Sequence, residues 1–305
     1  MTAVILHNYH MSPFSEKIRA MFGYTQIQWS SVRTKEMPPR PLLQPLTGGY
    51  RKIPVMQIGA DVFCDTRTIT TELASITNKP ELALENCDEE IQDFVHKVDL
   101  EIFFACIIYA SSKDLRKKAT ENLSYMELAR LVWDRLNMGR TANVKISTGK
   151  AANRIVTGHI ESLQQKLQDD FLYGQEPNIA DFSAYHSLWF IRDLAKKTIL
   201  KHYPSINTWM DRIKHFGNGQ NVEMVGEEAL LIAKNSDPRS ITIEHQQDPL
   251  IGRTVSIAPN DYGQNPTKGQ LVGATATQWI VSNNDKKTGL IHIHFPKYGF
   301  DVAVC

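Results

Sequence analysis

The first eighty residues carry short apolar runs separated by polar turns. Residues 3 to 9 (AVILHNY) form one such run, and SPFSEKIRAMFGY follows with Ile18, Met21 and Phe22 at helical spacing. Ser12 suits an N-cap, Pro13 sits where a missing N–H costs nothing, Glu16 lies near the positive end of the helix dipole, and Gly23 is expected to end the helix. A second strand is expected at 26 to 32, before a proline-rich loop at 37 to 45. Residues 52 to 58 and 61 to 64 predict a hairpin turning at Gly59-Ala60, with a helix over 66 to 76.

A parallel pair beside an antiparallel pair, with helices packed on the sheet, is the arrangement of a thioredoxin-like domain, assigned to residues 1 to 79. After Asn78-Lys79-Pro80 the strand signals vanish until about residue 240. Apolar stripes at 89 to 110, 124 to 136, 151 to 167, 179 to 195 and 206 to 214 predict an all-helical domain over 86 to 235. Trp133 and Trp189 read as core, whereas Phe103, Phe104 and Tyr109 suit either core or the wall of an apolar pocket. From about residue 251 the texture becomes β-rich, with runs at 253 to 257, 270 to 273, 278 to 282, 290 to 295 and 300 to 304. These predict a small SH3-like β-barrel over 248 to 305, with Ala258-Pro259-Asn260-Asp261-Tyr262-Gly263 as its long first loop. The fold class expected is therefore α+β, with three domains.

Composition narrows the function. Hydrophobic residues make up 42% and charged residues 22%, ordinary globular usage. Lys and Arg total 34 against 33 for Asp and Glu, so no basic field draws the chain to nucleic acid. No apolar run approaches the ~20 residues that span a bilayer, and the opening lacks a signal peptide's features, so no membrane partner and a cytoplasmic location are expected. Cys64, Cys87, Cys106 and Cys305 are scattered and form no CxxC pair, which argues against a disulfide framework or a zinc site. His292 and His294 share a strand face, but no further ligand is evident nearby, so no metal is expected.

Four motifs carry the chemistry. Ser12-Pro13-Phe14 opens the first helix, Lys52-Ile53-Pro54-Val55 precedes the hairpin, Asp65-Thr66 opens the second helix, and Asn178-Ile179-Ala180-Asp181-Phe182 has the spacing of a capping box. In this order they resemble the glutathione transferase family, particularly its tau and omega classes, over residues 1 to about 220. The omega class carries cysteine where Ser12 stands. The resemblance implies glutathione as co-substrate, a small hydrophobic electrophile as second substrate, and a homodimer.

It also implies residue roles. Ser12 would stabilise the thiolate, with Tyr9 and Ser15 as rivals for that hydrogen bond; His10 suits an acid or base but reads more simply as an exposed loop residue. A glutathione thiol has a pKa of about 8.5 to 9, so activation near neutral pH asks for roughly 1.4 to 2.7 kcal/mol. One charge-assisted hydrogen bond at a helix N-terminus supplies energy of that order. Phe14, in the same motif, would be among the glutathione-binding residues. A cis-Pro54 between Ile53 and Val55 would turn main-chain groups toward the cysteinyl moiety, and Asp65 and Thr66 would take the γ-glutamyl end. Lys52 would reach the glycyl carboxylate, helped by Arg40 or Lys35. A serine at position 12 disfavours thiol–disulfide exchange, and a non-catalytic scaffold that recruits a partner is the competing reading.

Overall fold

The computed structural model describes residues 3–111, 124–126, 133–134 and 149–305. The N-terminal order is β1 (Val4–Asn8), α1 (Pro13–Thr25), β2 (Gln28–Arg33), α2 (Gln44–Thr47), β3 (Val55–Ile58), β4 (Asp61–Cys64) and α3 (Thr66–Thr77). β1 pairs with β2 in parallel and with β3 antiparallel, and β3 pairs with β4, as the thioredoxin-like reading requires. Side chains alternate between two cores: Leu6, Met56 and Phe63 face α1 and α3, while Val55, Val62 and Cys64 face the other side. Gly23 does not end α1. The helix runs on to Thr25 and stops at Gln26, whose φ of 53° is left-handed; Gly23 serves close packing, because a Cβ there would collide with the Gly217 carbonyl.

A helical layer follows. α4 (Glu89–Lys97) continues through a π-helical turn, Val98–Ile102, into α5 (Phe103–Ala110). Then come α6 (Gly149–Lys166), α7 (Ile179–Trp189) with a second π-helical turn at Phe190–Leu194, and α8 (Pro204–His215). The helix expected at 124 to 136 lies for the most part outside the described residues. Asp181 completes the capping box of α7, taking the Asn178 N–H at 3.1 Å, and its other oxygen accepts from Leu172 N and Trp209 Nε1. Trp189 is half-buried against the core, whereas Trp133, expected in the core, is exposed.

The all-helical stretch expected to reach residue 235 is interrupted. β5 (Gln220–Met224) returns to the sheet in parallel with β2, and α9 (Gly226–Lys234) packs beneath it, with Ala229 against Ile5 and Val32. β6 (Thr254–Pro259), β7 (Thr267–Ala274), β8 (Gln278–Asp285), β9 (Gly289–Pro296) and β10 (Phe300–Val304) form an antiparallel set in which β10 lies beside β6. These strands do not stand apart from the N-terminal sheet. β9 pairs in parallel with β4, so among the described residues ten strands form one sheet, ordered β10-β6-β7-β8-β9-β4-β3-β1-β2-β5. The C-terminal strands, expected as a third domain, join the N-terminal sheet because β4 is an edge that β9 covers.

Two polar locks tie the layers. Asp61 of β4 is buried and accepts from His294 Nε2 of β9 at 2.8 Å and from Arg239 N at 3.0 Å. Burial alone would raise its carboxyl, but His294 and Arg239 outweigh that and hold it lowered. The second lock joins α1 to the helical layer: Lys17 Nζ meets Asp99 Oδ2 at 2.7 Å, and His186 Nε2 lies 3.1 Å from Asp99 Oδ1. Asp99 sits in the π-helical turn after α4, an irregularity frequent at functional sites.

Two predictions follow from these locks. Because the folded carboxyl of Asp61 is lowered, its contribution is complete above the ordinary value of 3.8 and is lost as pH falls through the folded value. Amide protection along β4 and β9 therefore drops on acidification in the wild type, while Asp61→Asn starts weaker and lacks that step; hydrogen exchange against pH reads both. Asp99→Ala strands the buried Lys17 charge and costs about 3 to 5 kcal/mol, whereas Lys17→Met with Asp99→Leu recovers most of it, as urea denaturation of the double-mutant cycle will read.

Candidate functional site

The strongest local feature is the corner between β4 and α3. Asp65 holds φ 80° and ψ 145°, a region costing a non-glycine residue about 1–3 kcal/mol. Its carboxylate takes the Arg67 N–H at 3.0 Å and the Tyr50 hydroxyl at 3.4 Å, which holds the corner in place. Thr66 then begins α3, and the first turn opens on a cavity of about 360 Å³. Ile53-Pro54 is cis, as expected, and delivers the chain into β3 beside that corner. Phe14, Lys52, Ile53, Pro54, Asp65 and Thr66 converge on a smaller recess next to the cavity.

The helical layer supplies the far wall through Leu84, Val95, Leu100 and Ile179, and Lys17 and Asp99 lie at its inner end. Lys17 and His186 hold the Asp99 carboxyl well below the usual range although burial opposes them, and burial keeps the His186 imidazole neutral in spite of Asp99. At the mouth, Tyr298 stacks on His96 with ring centroids 4.1 Å apart, and the Arg67 guanidinium lies 4.3 Å from the same tyrosine ring.

The remaining sequence candidates sit differently. Ser12 caps α1: it is 2% exposed, and its Oγ accepts the Ser15 N–H at 3.1 Å, which leaves its own hydroxyl proton to donate. Ser15 is fully buried, and its Oγ has no hydrogen-bond partner among the described residues. Tyr9 is half-buried where β1 leaves the sheet, and neither it nor the two serines lines the cavity. The Val55 side chain packs in the core, so only its main chain is available. Arg40 is committed to the carbonyls of Lys35, Glu36 and Arg51 and braces the loop before α2. Phe103 packs tilted against Phe14, with ring centroids 4.6 Å apart, and Tyr109 lies outside the lining.

Sequence reasoning missed the C-terminal contribution. Asp261 and Tyr262, between β6 and β7, Tyr298, in the turn between β9 and β10, and Phe300, the first residue of β10, roof the cavity. Lys52 Nζ is paired with both Asp261 carboxylate oxygens at 2.7 and 2.8 Å. It also missed Lys17 and Asp99, for which one signal existed: a lone acid inside an otherwise apolar helical stripe.

Two family models match the chain: glutathione S-transferase N-terminal domain over residues 6–81 and glutathione S-transferase C-terminal domain over residues 142–218. A solved GST-like protein from Pseudomonas syringae is 30% identical, with a TM-score of 0.76, and the alignment covers 98% of this chain and 99% of that one, C-terminal strands included. The beta-etherase LigF from Sphingobium sp. strain SYK-6 shares the fold at 15% identity and a TM-score of 0.50, over 70% of this chain and 95% of that one. No protein of curated function matches the sequence. On the matched domains and the full-length structural likeness, the chain belongs to the glutathione S-transferase family.

Proposed function

We propose that the protein binds glutathione at the β4–α3 corner and directs its thiolate at a small hydrophobic electrophile. One observation carries this reading: cis-Pro54, the left-handed Asp65 and the first turn of α3 meet in one recess beside a cavity of about 360 Å³. Thr66 and the first-turn N–H groups would take the γ-glutamyl carboxylate, with Asp65 on the amine. Main-chain groups next to Pro54 would pair with the cysteinyl residue, and Lys52 would meet the glycyl carboxylate. The Ser12 hydroxyl, at the N-terminus of α1, would donate to the thiolate, with Tyr9 and Ser15 as the rival donors. Leu84, Val95, Leu100 and Ile179 would hold the electrophile. Catalysis then rests on a lowered thiol pKa and on proximity. On the same reading the protein is a cytoplasmic homodimer, and the pairing of β10 with β6 supports an SH3-like closure of the C-terminal strands.

A second reading is favoured by the Asp261–Lys52 pair over the recess: a non-catalytic scaffold that keeps the family's fold and recruits a partner. Retention on immobilised glutathione separates the two. Ser12→Ala is expected to lower conjugation of an aryl halide at pH 7 by about 10- to 100-fold while glutathione still binds. Its pH–rate profile should shift toward the free thiol value of about 8.5 to 9, so that the defect fades in alkali. An unchanged profile would remove Ser12 from the mechanism. Ser12→Asn, which preserves the cap, controls for the ~1 kcal/mol of helix stability lost with alanine.

A further inference from the structure

The recess at cis-Pro54 is already filled. Its free volume is only about 30 Å³, room for little more than water, whereas ligand pockets run to about 300 Å³ and above. Tyr262 lines the recess, and Asn260 and Asp261 line the adjoining cavity, all three from the segment 260–266 that joins β6 to β7. Asp261 places its carboxylate on Lys52, and the Tyr262 ring lies 4.2 Å from the same ammonium and packs edge-on against Phe104 at 5.1 Å. We infer that Asp261 and Tyr262 are an internal occupant of this site: the carboxylate takes the place of a ligand carboxylate on Lys52 and the ring caps the recess beside Pro54, so that an incoming peptide must displace the loop. The inference rests on the reading of this recess as the glutathione site, and it assigns the C-terminal strands the task of holding a latch over it.

The surroundings suit a latch that opens. Main-chain anchoring falls at the ends of the loop, where Asn260 N bonds to Gly299 O at 3.0 Å and Thr267 begins β7. Between them the bonds are local: Asn265 N donates to Gly263 O, Gln264 Nε2 donates to the carbonyls of Asn260 and Asp261, and Gly263, at φ 63°, lies buried beside the Arg51 side chain. The Lys52–Asp261 pair is partly exposed, with side-chain accessibilities of 12% and 23%, so an incoming carboxylate can exchange for it without leaving Lys52 unpaired. What the ligand gains on Lys52 is offset by the broken latch, and apparent affinity falls by the fraction of protein that is open.

The test is calorimetric titration of glutathione into wild type, Asp261→Asn and Tyr262→Ala, together with hydrogen exchange of residues 260–266. Asp261→Asn keeps the shape and removes the competing charge, and it should bind about tenfold tighter; Tyr262→Ala, which also empties the recess, should gain at least as much. Saturating the wild type with glutathione should speed exchange across 260–266. Equal or weaker binding by both variants, with exchange slowed by the ligand, would overturn the latch and make the loop part of the binding wall. If none of the three proteins takes up glutathione at millimolar concentration, the glutathione reading itself falls. The latch is then judged on the ligand-free proteins, where exchange in Asp261→Asn no faster than in wild type would overturn it as well.

Discussion

The parallel pairing of β4 with β9 is the contact on which the rest of the molecule depends. Asp61, Val62 and Phe63 of β4 face His292, Ile293 and His294 of β9, and the buried Asp61 carboxylate fastens the junction through His294 and Arg239. α3 starts three residues after Phe63, so anything attached to β9 is carried to within reach of the α3 N-terminus. Without that pairing β4 would be an open edge, and Val55, Val62 and Cys64 would lose the apolar side chains of β6 to β10 that bury them. The C-terminal strands thus complete one face of the N-terminal sheet and place Asp261, Tyr262, Tyr298 and Phe300 over the site.

The opposite face is organised by charge as much as by packing. The Lys17–Asp99–His186 cluster pins α1, whose first residues would face the thiol on the proposed reading, to the helical layer that would hold a second substrate. A buried pair of this kind adds little net stability over a hydrophobic seam, but breaking it is costly, so it fixes how α1 meets α4 and α7. The site therefore lies where these two junctions meet, and the loop over it is held to the site chiefly by the Asp261–Lys52 pair and the Tyr262 ring.

Much of this was legible in the sequence wherever the signal was local. The N-cap of α1, the Asp65-Thr66 corner and the Asn178–Asp181 capping box each occupy a few adjacent residues whose side chains bond to neighbouring backbone, and cis-Pro54 is expected from the short motif that resembles the family's. What escaped was non-local. Pairing of β4 with β9 joins segments more than two hundred residues apart and leaves no periodicity to read. β5 is a polar, exposed edge strand without the alternation that marks a half-buried one. Gly23 read as a helix stop because its true constraint, the Gly217 carbonyl, arrives from a distant turn. Lys52 and Arg40 both read as carboxylate receivers, yet Arg40 is committed to its own loop and Lys52 to Asp261.

The central claim is that one recess, between cis-Pro54 and the start of α3, is shared in turn by glutathione and by the Asp261–Tyr262 loop. The structure of the protein crystallised with glutathione tests it most directly. The account predicts the tripeptide lying along Pro54 and Val55 with a carboxylate at Thr66, Lys52 released from Asp261, and the Tyr262 ring withdrawn from the recess. Glutathione bound elsewhere, or bound there with Asp261 and Tyr262 unmoved, would contradict it.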